Sequence, residues 1–71
     1  MDPKEFAIKR VEHYKKVVLE VLPSTDEEKL FKIAQNCAKS ENDELLNHLM
    51  IKLDFDFLIQ VRIELSHMKF N

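Results

Sequence analysis

The last third of the chain follows two hydrophobic periods at once. From Leu53 to Leu65 every odd-numbered residue is apolar, and Leu58 is the one apolar residue at an even-numbered position. Such alternation predicts a half-buried strand. The same segment also continues a helical stripe with a period of about 3.6, through positions 46, 49, 50, 53, 57, 61, 65 and 68. Since nothing upstream alternates, a strand here could pair only with its copy in another subunit, and we therefore predict a helix.

The first half of the chain carries clear signals for where helices begin and end. Asp2 followed by Pro3 predicts a helix that starts at Pro3, and Pro23 predicts its end at the preceding residue. Ser24 and Thr25 each stand three residues before a glutamate, which is the spacing of a capping box. We therefore predict that a second helix starts at Thr25.

Polar residues in the second half predict further boundaries. Residues 40–43 are all polar and predict a turn, and Asp54 and Asp56 are better suited to a helix cap than to a helix interior. The predicted helices are residues 3–22, 25–39, 43–53 and 55–68.

These boundaries predict an all-α fold. The chain should form a single helical domain over residues 1–71, built as a small bundle of three to four helices. The alternative is three helices followed by a C-terminal strand that pairs across a dimer. The apolar stripes supply the predicted core: Val11, Tyr14, Val18, Leu22, Leu30, Ile33, Ala34, Cys37, Leu46, Leu49, Met50, Leu53, Phe57 and Val61.

A second apolar stripe runs along the predicted tail helix, roughly opposite the first. Its members stand four residues apart: Ile51, Phe55, Ile59 and Ile63. A helix that is apolar on two sides has to be covered on both, and this short chain has little material left for the second side. We therefore predict a non-catalytic interaction or regulatory module that binds a protein partner or forms a homodimer. The predicted partner-binding residues are Phe55, Leu58, Ile59 and Ile63.

The composition argues against most catalytic and cofactor-binding sites. The chain contains no glycine, whereas P-loops, dinucleotide fingerprints, nucleophile elbows and EF-hand loops all need it. No nucleophile, base and orienting group can be assembled from these residues, so we predict neither an enzyme nor a cofactor. Thirteen acidic and eleven basic side chains give a net charge of -2, which offers no electrostatic footprint for nucleic acid or an anionic membrane.

One cysteine and three histidines are the candidates for metal or thiol chemistry. Cys37, His13, His48 and His67 match no common zinc-ligand spacing. Cys37 lies on the apolar stripe of the second helix, so we expect a packed, inert thiol and no metal. A lone thiol suits a reducing compartment, and no signal peptide opens the sequence, so we predict an intracellular protein, cytoplasmic or nuclear. Apolar runs of at most three residues predict no membrane span.

A helix-turn-helix is the alternative that implies a different function. Residues 32–34, the polar turn at 40–43 and residues 45–49 resemble this DNA-binding motif, and a strand over 55–65 would resemble the start of a winged-helix wing. However, Asp43 and Glu44 would repel phosphate at the first turn of the recognition helix. A protein partner is therefore preferred over nucleic acid.

A resemblance to a known family concerns the second half of the chain. Residues 42–46, followed by residues 53–58 with Val61, Glu64 and Leu65, are similar to the helical hairpin of Sda-type inhibitors of sporulation histidine kinases. Those proteins use the hairpin to block a kinase dimerisation bundle. Here further predicted helices precede the hairpin, and its first arm is shorter. The resemblance implies an antiparallel helical hairpin in this chain and does not identify a partner.

Overall fold

The chain forms three helices that pack against one another. The computed structural model describes residues 2–48 and 52–70. Helix α1 spans Pro3–Val21, α2 spans Glu27–His48 and α3 spans Lys52–His67. Each helix contacts both of the others. The predicted small all-α bundle is confirmed for the described residues, and the alternative with a C-terminal strand is wrong because the tail is helical.

Helix α1 begins where the sequence predicts and ends one residue earlier. The Asp2 carboxylate accepts a hydrogen bond at 3.1 Å from the backbone N–H two residues further on. Pro3 occupies the first helical position, where its missing N–H has no intrahelical partner to lose. At the other end the Leu22 N–H reaches the carbonyl four residues back at 2.7 Å, and Pro23 prevents another turn.

Helix α2 begins two residues later than predicted because Asp26 caps it. The Asp26 carboxylate accepts the Lys29 backbone N–H at 3.1 Å, and the Asp26 carbonyl accepts the Leu30 N–H at 2.9 Å. The hydroxyl of Thr25, the predicted cap, donates instead to the Leu22 carbonyl at 2.8 Å. The capping-box spacing was therefore assigned to the wrong residue, and Thr25 secures the turn between the two helices.

The predicted turn at residues 40–43 is wrong, because α2 runs through it without a break. The polar side chains that suggested a turn make contacts between helices. Glu41 contacts α1, whereas Asn42 and Asp43 contact α3. The predicted separation of helices 25–39 and 43–53 is corrected accordingly, and the helix-turn-helix geometry does not form at this position.

The boundary predicted between residues 53 and 55 also lies in the wrong place. Helix α2 ends at His48 and α3 begins at Lys52, so the expected cap Asp54 falls inside α3. The side-chain contacts expected for Ile51, Leu49, Met50 and Leu53 lie outside the described part of the structure. Helices α2 and α3 run antiparallel, since residue 42 contacts residue 58 while residue 35 contacts residues 65 and 68. The hairpin that the family resemblance implies is present.

The core lies where the three helices meet. Its buried members include several alanines, which allow close approach of the helix backbones: Ala7, Val11, Phe31, Ala34, Ala38, Val61 and Leu65. Half-buried Phe6, Tyr14, Phe57 and Met68 pack against this cluster. The predicted burial of Val11, Leu30, Ala34 and Val61 is confirmed, and five predicted core residues are half-buried: Tyr14, Val18, Cys37, Leu46 and Phe57.

Two residues assigned to the core are exposed. Leu22 retains 54 % of its surface because it lies beyond the last residue of α1, where no helix faces it. Ile33 retains 38 % because it lies to one side of the buried line through Leu30, Ala34 and Ala38. Both line a shallow groove of about 460 Å³ at the corner between α1 and α2.

Candidate interaction surface

The inner face of α3 is fixed in the core. Leu58 is 6 % exposed, and Val61 and Leu65 are fully buried. Leu58 was predicted to bind a partner, and this prediction is corrected. The Leu58 side chain lies next to the buried line, so it is not available at the surface. The Leu58 backbone carbonyl also accepts a hydrogen bond from Asn42.

The outer face of α3 carries the other predicted binding residues. Phe55 and Ile63 each keep 42 % of their surface exposed, and Ile59 between them is half-buried. They stand four residues apart, so they follow one another along one side of the helix. We call Phe55, Ile59 and Ile63 the α3 face. The structure brings these three together, and their role in binding stays a prediction.

Polar side chains from α2 hold α3 in its orientation. The Asn42 side-chain N–H donates to the Leu58 carbonyl at 2.9 Å, and Asn42 itself is only 3 % exposed. The Gln35 side-chain N–H donates to the Leu65 carbonyl at 2.6 Å and to the Met68 carbonyl at 3.0 Å. Carbonyls of a last helical turn have no partner within their helix, and Gln35 supplies one. The α3 face is therefore presented on a firmly supported helix.

An exposed ion pair adds to this support. The Arg62 Nε lies 3.5 Å from the Asp43 Oδ1, and both side chains are largely exposed. This Asp43 oxygen is itself shielded from solvent and accepts no hydrogen bond among the described residues, so the contact is an ion pair without a hydrogen bond. Its contribution to stability is small because solvent screens exposed pairs.

A separate groove lies between the start of α1 and the last turns of α3. It has a volume of about 220 Å³ and is lined by Lys4, Ile8, Glu64, His67 and Met68. Ile8 keeps 43 % of its surface exposed. Because the lining includes a lysine, a glutamate and a histidine, this groove carries no single sign of charge.

A polar cluster between α1 and α2 is the other candidate for chemistry. The Tyr14 hydroxyl donates to one oxygen of the Glu41 carboxylate, and the Arg10 guanidinium pairs with the other oxygen. The hydrogen bond to Glu41, together with burial and the nearby negative charge, raises the pKa of Tyr14 to about 12. Tyr14 therefore keeps its proton at neutral pH, and both oxygens of Glu41 are already engaged.

A groove lies beside this cluster and includes the one cysteine of the chain. It measures about 520 Å³, and Cys37, Asn36, Ser40 and Glu44 complete its lining. The described residues that line the groove with Cys37 include no lysine, arginine or histidine that would favour a reactive thiolate. Across residues 2–48 and 52–70, no three His, Cys, Asp or Glu side chains are grouped so as to hold a metal ion. We interpret this cluster as a contact that stabilises the α1–α2 pair.

Comparison with protein-family models, curated proteins and solved structures gives no match to this chain. The described helices include none with the length and apolar composition that crossing a bilayer requires. Sequence reasoning identified the α3 face but missed the polar side chains that orient it. Gln35 and Asn42 looked like surface and turn residues because polarity alone does not show which side of a helix a residue occupies.

Proposed function

We propose that this protein is a non-catalytic interaction module that binds another polypeptide through the α3 face. The observation that carries the proposal is the exposure of Phe55 and Ile63 on a helix whose opposite side packs in the core through Leu58, Val61 and Leu65. The buried side secures the helix, so the apolar outer side does not contribute to holding this chain together. A contact with another polypeptide would give this apolar surface a role.

The line of exposed apolar residues on α3 supports this function. Single exposed apolar residues are common on soluble proteins, whereas a continuous apolar patch marks a site of interaction. Here Phe55, Ile59 and Ile63 form a line along α3, and Phe55 and Ile63 are each 42 % exposed. Removing apolar surface from water is worth about 25 cal/mol per Å². The patch therefore gives an apolar partner a favourable place to bind.

The shape of the surface favours a helical partner. Apolar residues four apart form a ridge that can pack into the groove of a second amphipathic helix, which is a common mode of recognition. The exposed charges that flank the line on α3 are of both signs, with Asp56 on one side and Arg62 on the other. Such a margin suits a partner helix of mixed charge and argues against a strongly acidic or basic partner.

Site-specific photo-cross-linking tests this function. A photoreactive side chain replaces Ile63, and a matched control replaces Val17, which is equally exposed at 41 % but lies on α1. In cells that produce the protein, we expect a protein adduct from position 63 and none from position 17. Equal trapping at the two positions, or no adduct at position 63, would contradict the proposal. The adduct may be of any mass, because the proposal concerns the surface and leaves the partner open.

A further inference from the structure

The residues that follow α3 lie against α1 and α2. Residues 68–70 have no helical structure, and Phe70 lines a groove between the other two helices. We propose that residues 68–70, here called the strap, close this groove in the observed structure and open from it while the three helices stay folded. The strap is separate from the α3 face, because Phe55, Ile59 and Ile63 are not among the described residues that line the groove.

Phe70 covers a part of the groove that α3 does not reach. The groove has a volume of about 250 Å³, and the residues beside Phe70 in its described lining all belong to α1 and α2. The ring centroids of Phe70 and Phe31 lie 5.9 Å apart. Phe31 is 8 % exposed, and Leu30 in the groove wall is 6 % exposed. Phe70 therefore helps to shield these two side chains from water.

The strap is attached to the bundle at two points. Met68 is half-buried against the core cluster, and its carbonyl accepts a hydrogen bond from the Gln35 side chain at 3.0 Å. The second point is the contact of Phe70 with Phe31. Lys69 between the two points is exposed. Because Met68 holds the start of the strap on α2, Phe70 can leave the groove without moving α3.

The attachment of Phe70 is weaker than the packing inside the bundle. Phe70 keeps 42 % of its surface exposed, whereas Val61 and Leu65 on α3 are fully buried. Residues 69 and 70 make no hydrogen bond to other described residues. A segment with little buried surface and few hydrogen bonds opens at a lower free energy than the core around it. The strap should therefore open before the helices unfold.

Opening changes the accessibility of a defined apolar surface. Leu30 and Phe31 lose the cover of Phe70, and Leu19 on the α1 wall of the groove is already 39 % exposed. The Lys15 ammonium, 5.7 Å from the centroid of the Phe31 ring, belongs to α1 and stays in place. The closed and open states therefore differ in the surroundings of Phe70 and in the access of solvent to Leu30 and Phe31.

Tryptophan fluorescence tests the opening. The chain contains no tryptophan, so Phe70→Trp provides a single reporter on the strap. Phe55→Trp provides a matched reporter on α3, because Phe55 and Phe70 are each 42 % exposed. During a urea titration, we expect the reporter at position 70 to reach solvent-exposed emission at a lower urea concentration than the loss of helical circular dichroism. The reporter at position 55 should change together with the circular dichroism, because α3 unfolds with the bundle.

Thiol labelling tests the cover. In a Cys37→Ser background, Leu30→Cys places the only thiol of the chain in the groove wall beside Phe70. Adding Phe70→Ala should raise the rate of labelling by a maleimide at least about fivefold, because the thiol becomes more accessible. Phe55→Ala is the matched control and should leave the rate unchanged. Circular dichroism verifies that the compared variants keep the same helical content.

The outcomes decide different parts of the inference. A reporter at position 70 that is solvent-exposed before urea is added overturns the closed strap, and one that changes together with the circular dichroism overturns its separate opening. An early change at position 55 as well assigns the transition to the bundle and overturns an opening confined to the strap. Equal labelling of Leu30→Cys with Phe70→Ala and with Phe55→Ala overturns the cover. These results are independent of photo-cross-linking at position 63, which tests the proposed function.

Discussion

The two sides of α3 are both apolar in sequence, yet only one of them becomes core. Leu58, Val61 and Leu65 are buried, whereas Phe55 and Ile63 each keep 42 % of their surface exposed. Residue type does not separate the two sets, since both consist of large apolar side chains. The difference lies in the width of each stripe and in the residues that flank it.

The inner stripe is wide and the outer stripe is narrow. Phe57 and Met68 widen the inner stripe and pack against the core cluster. Asp56, Gln60 and His67 flank the outer stripe and are exposed. Rotating α3 so that its outer stripe faced the core would bury these polar groups without hydrogen-bond partners. The free-energy cost of that burial exceeds the gain from burying the outer apolar residues. The width of an apolar stripe, and not its presence, therefore selects the face that enters the core.

The largest expected loss of stability comes from a substitution on the inner face of α3. Leu65→Ala should lower the free energy of unfolding by about 3 kcal/mol, because it removes buried methyl groups and leaves a cavity between three helices. Leu65 is fully buried, so the loss is not relieved by solvent. Urea unfolding followed by circular dichroism measures the change. A loss below about 1 kcal/mol would show that this side of α3 is loosely packed and would remove the contrast between the faces.

A smaller effect is expected where Asn42 fixes the inner face. Asn42→Ala should cost about 1–2 kcal/mol, since it removes the hydrogen bond to the Leu58 carbonyl. The Asn42 Oδ1 is buried and accepts no hydrogen bond among the described residues, so part of the side chain is already unfavourably placed. Asn42→Leu keeps the volume and removes both polar atoms, and its unfolding free energy should lie close to that of the natural chain.

The matched pair at position 42 also measures specificity. If Asn42 selects one orientation of α3, Asn42→Leu should fold stably but show broader amide resonances in α3, because several orientations become similar in energy. Sharp, unshifted α3 resonances in Asn42→Leu would contradict a selecting role and leave the stripe width as the sole determinant. Proton–nitrogen correlation spectra of the two variants decide between these results.

The sequence allowed the helical class and the α3 face to be predicted, because both follow from local periodicity. Asp2, Pro3 and Pro23 locate α1 through backbone chemistry that acts within a few residues. The path of α2 through residues 40–43 could not be predicted in this way. Its polar side chains are satisfied by residues far along the chain, and a turn and a helix with polar contacts have the same local composition.

Leu58 shows the same limit at the candidate site. In an alternating pattern Leu58 is the exception, and grouping it with the outer residues followed from treating it as an addition to that stripe. In the helix it lies three residues before Val61 and seven before Leu65, which places it on the inner side. Placing Leu58 on the inner side requires both the helical period and the position of α2. Only the helical period can be read from the sequence.

The smallest expected effect comes from the outer face and gives the sharpest test of the comparison. Ile63→Ala removes a side chain that is 42 % exposed, so in dilute solution it should cost less than about 1 kcal/mol. Unfolding curves for Ile63→Ala and Leu65→Ala measure both changes. A cost at position 63 that equals the cost at position 65 in dilute solution would show that the outer face already has a partner within the chain. A small cost for Ile63→Ala beside a large cost for Leu65→Ala would mean that the inner face folds the chain and leaves the outer face free for a partner.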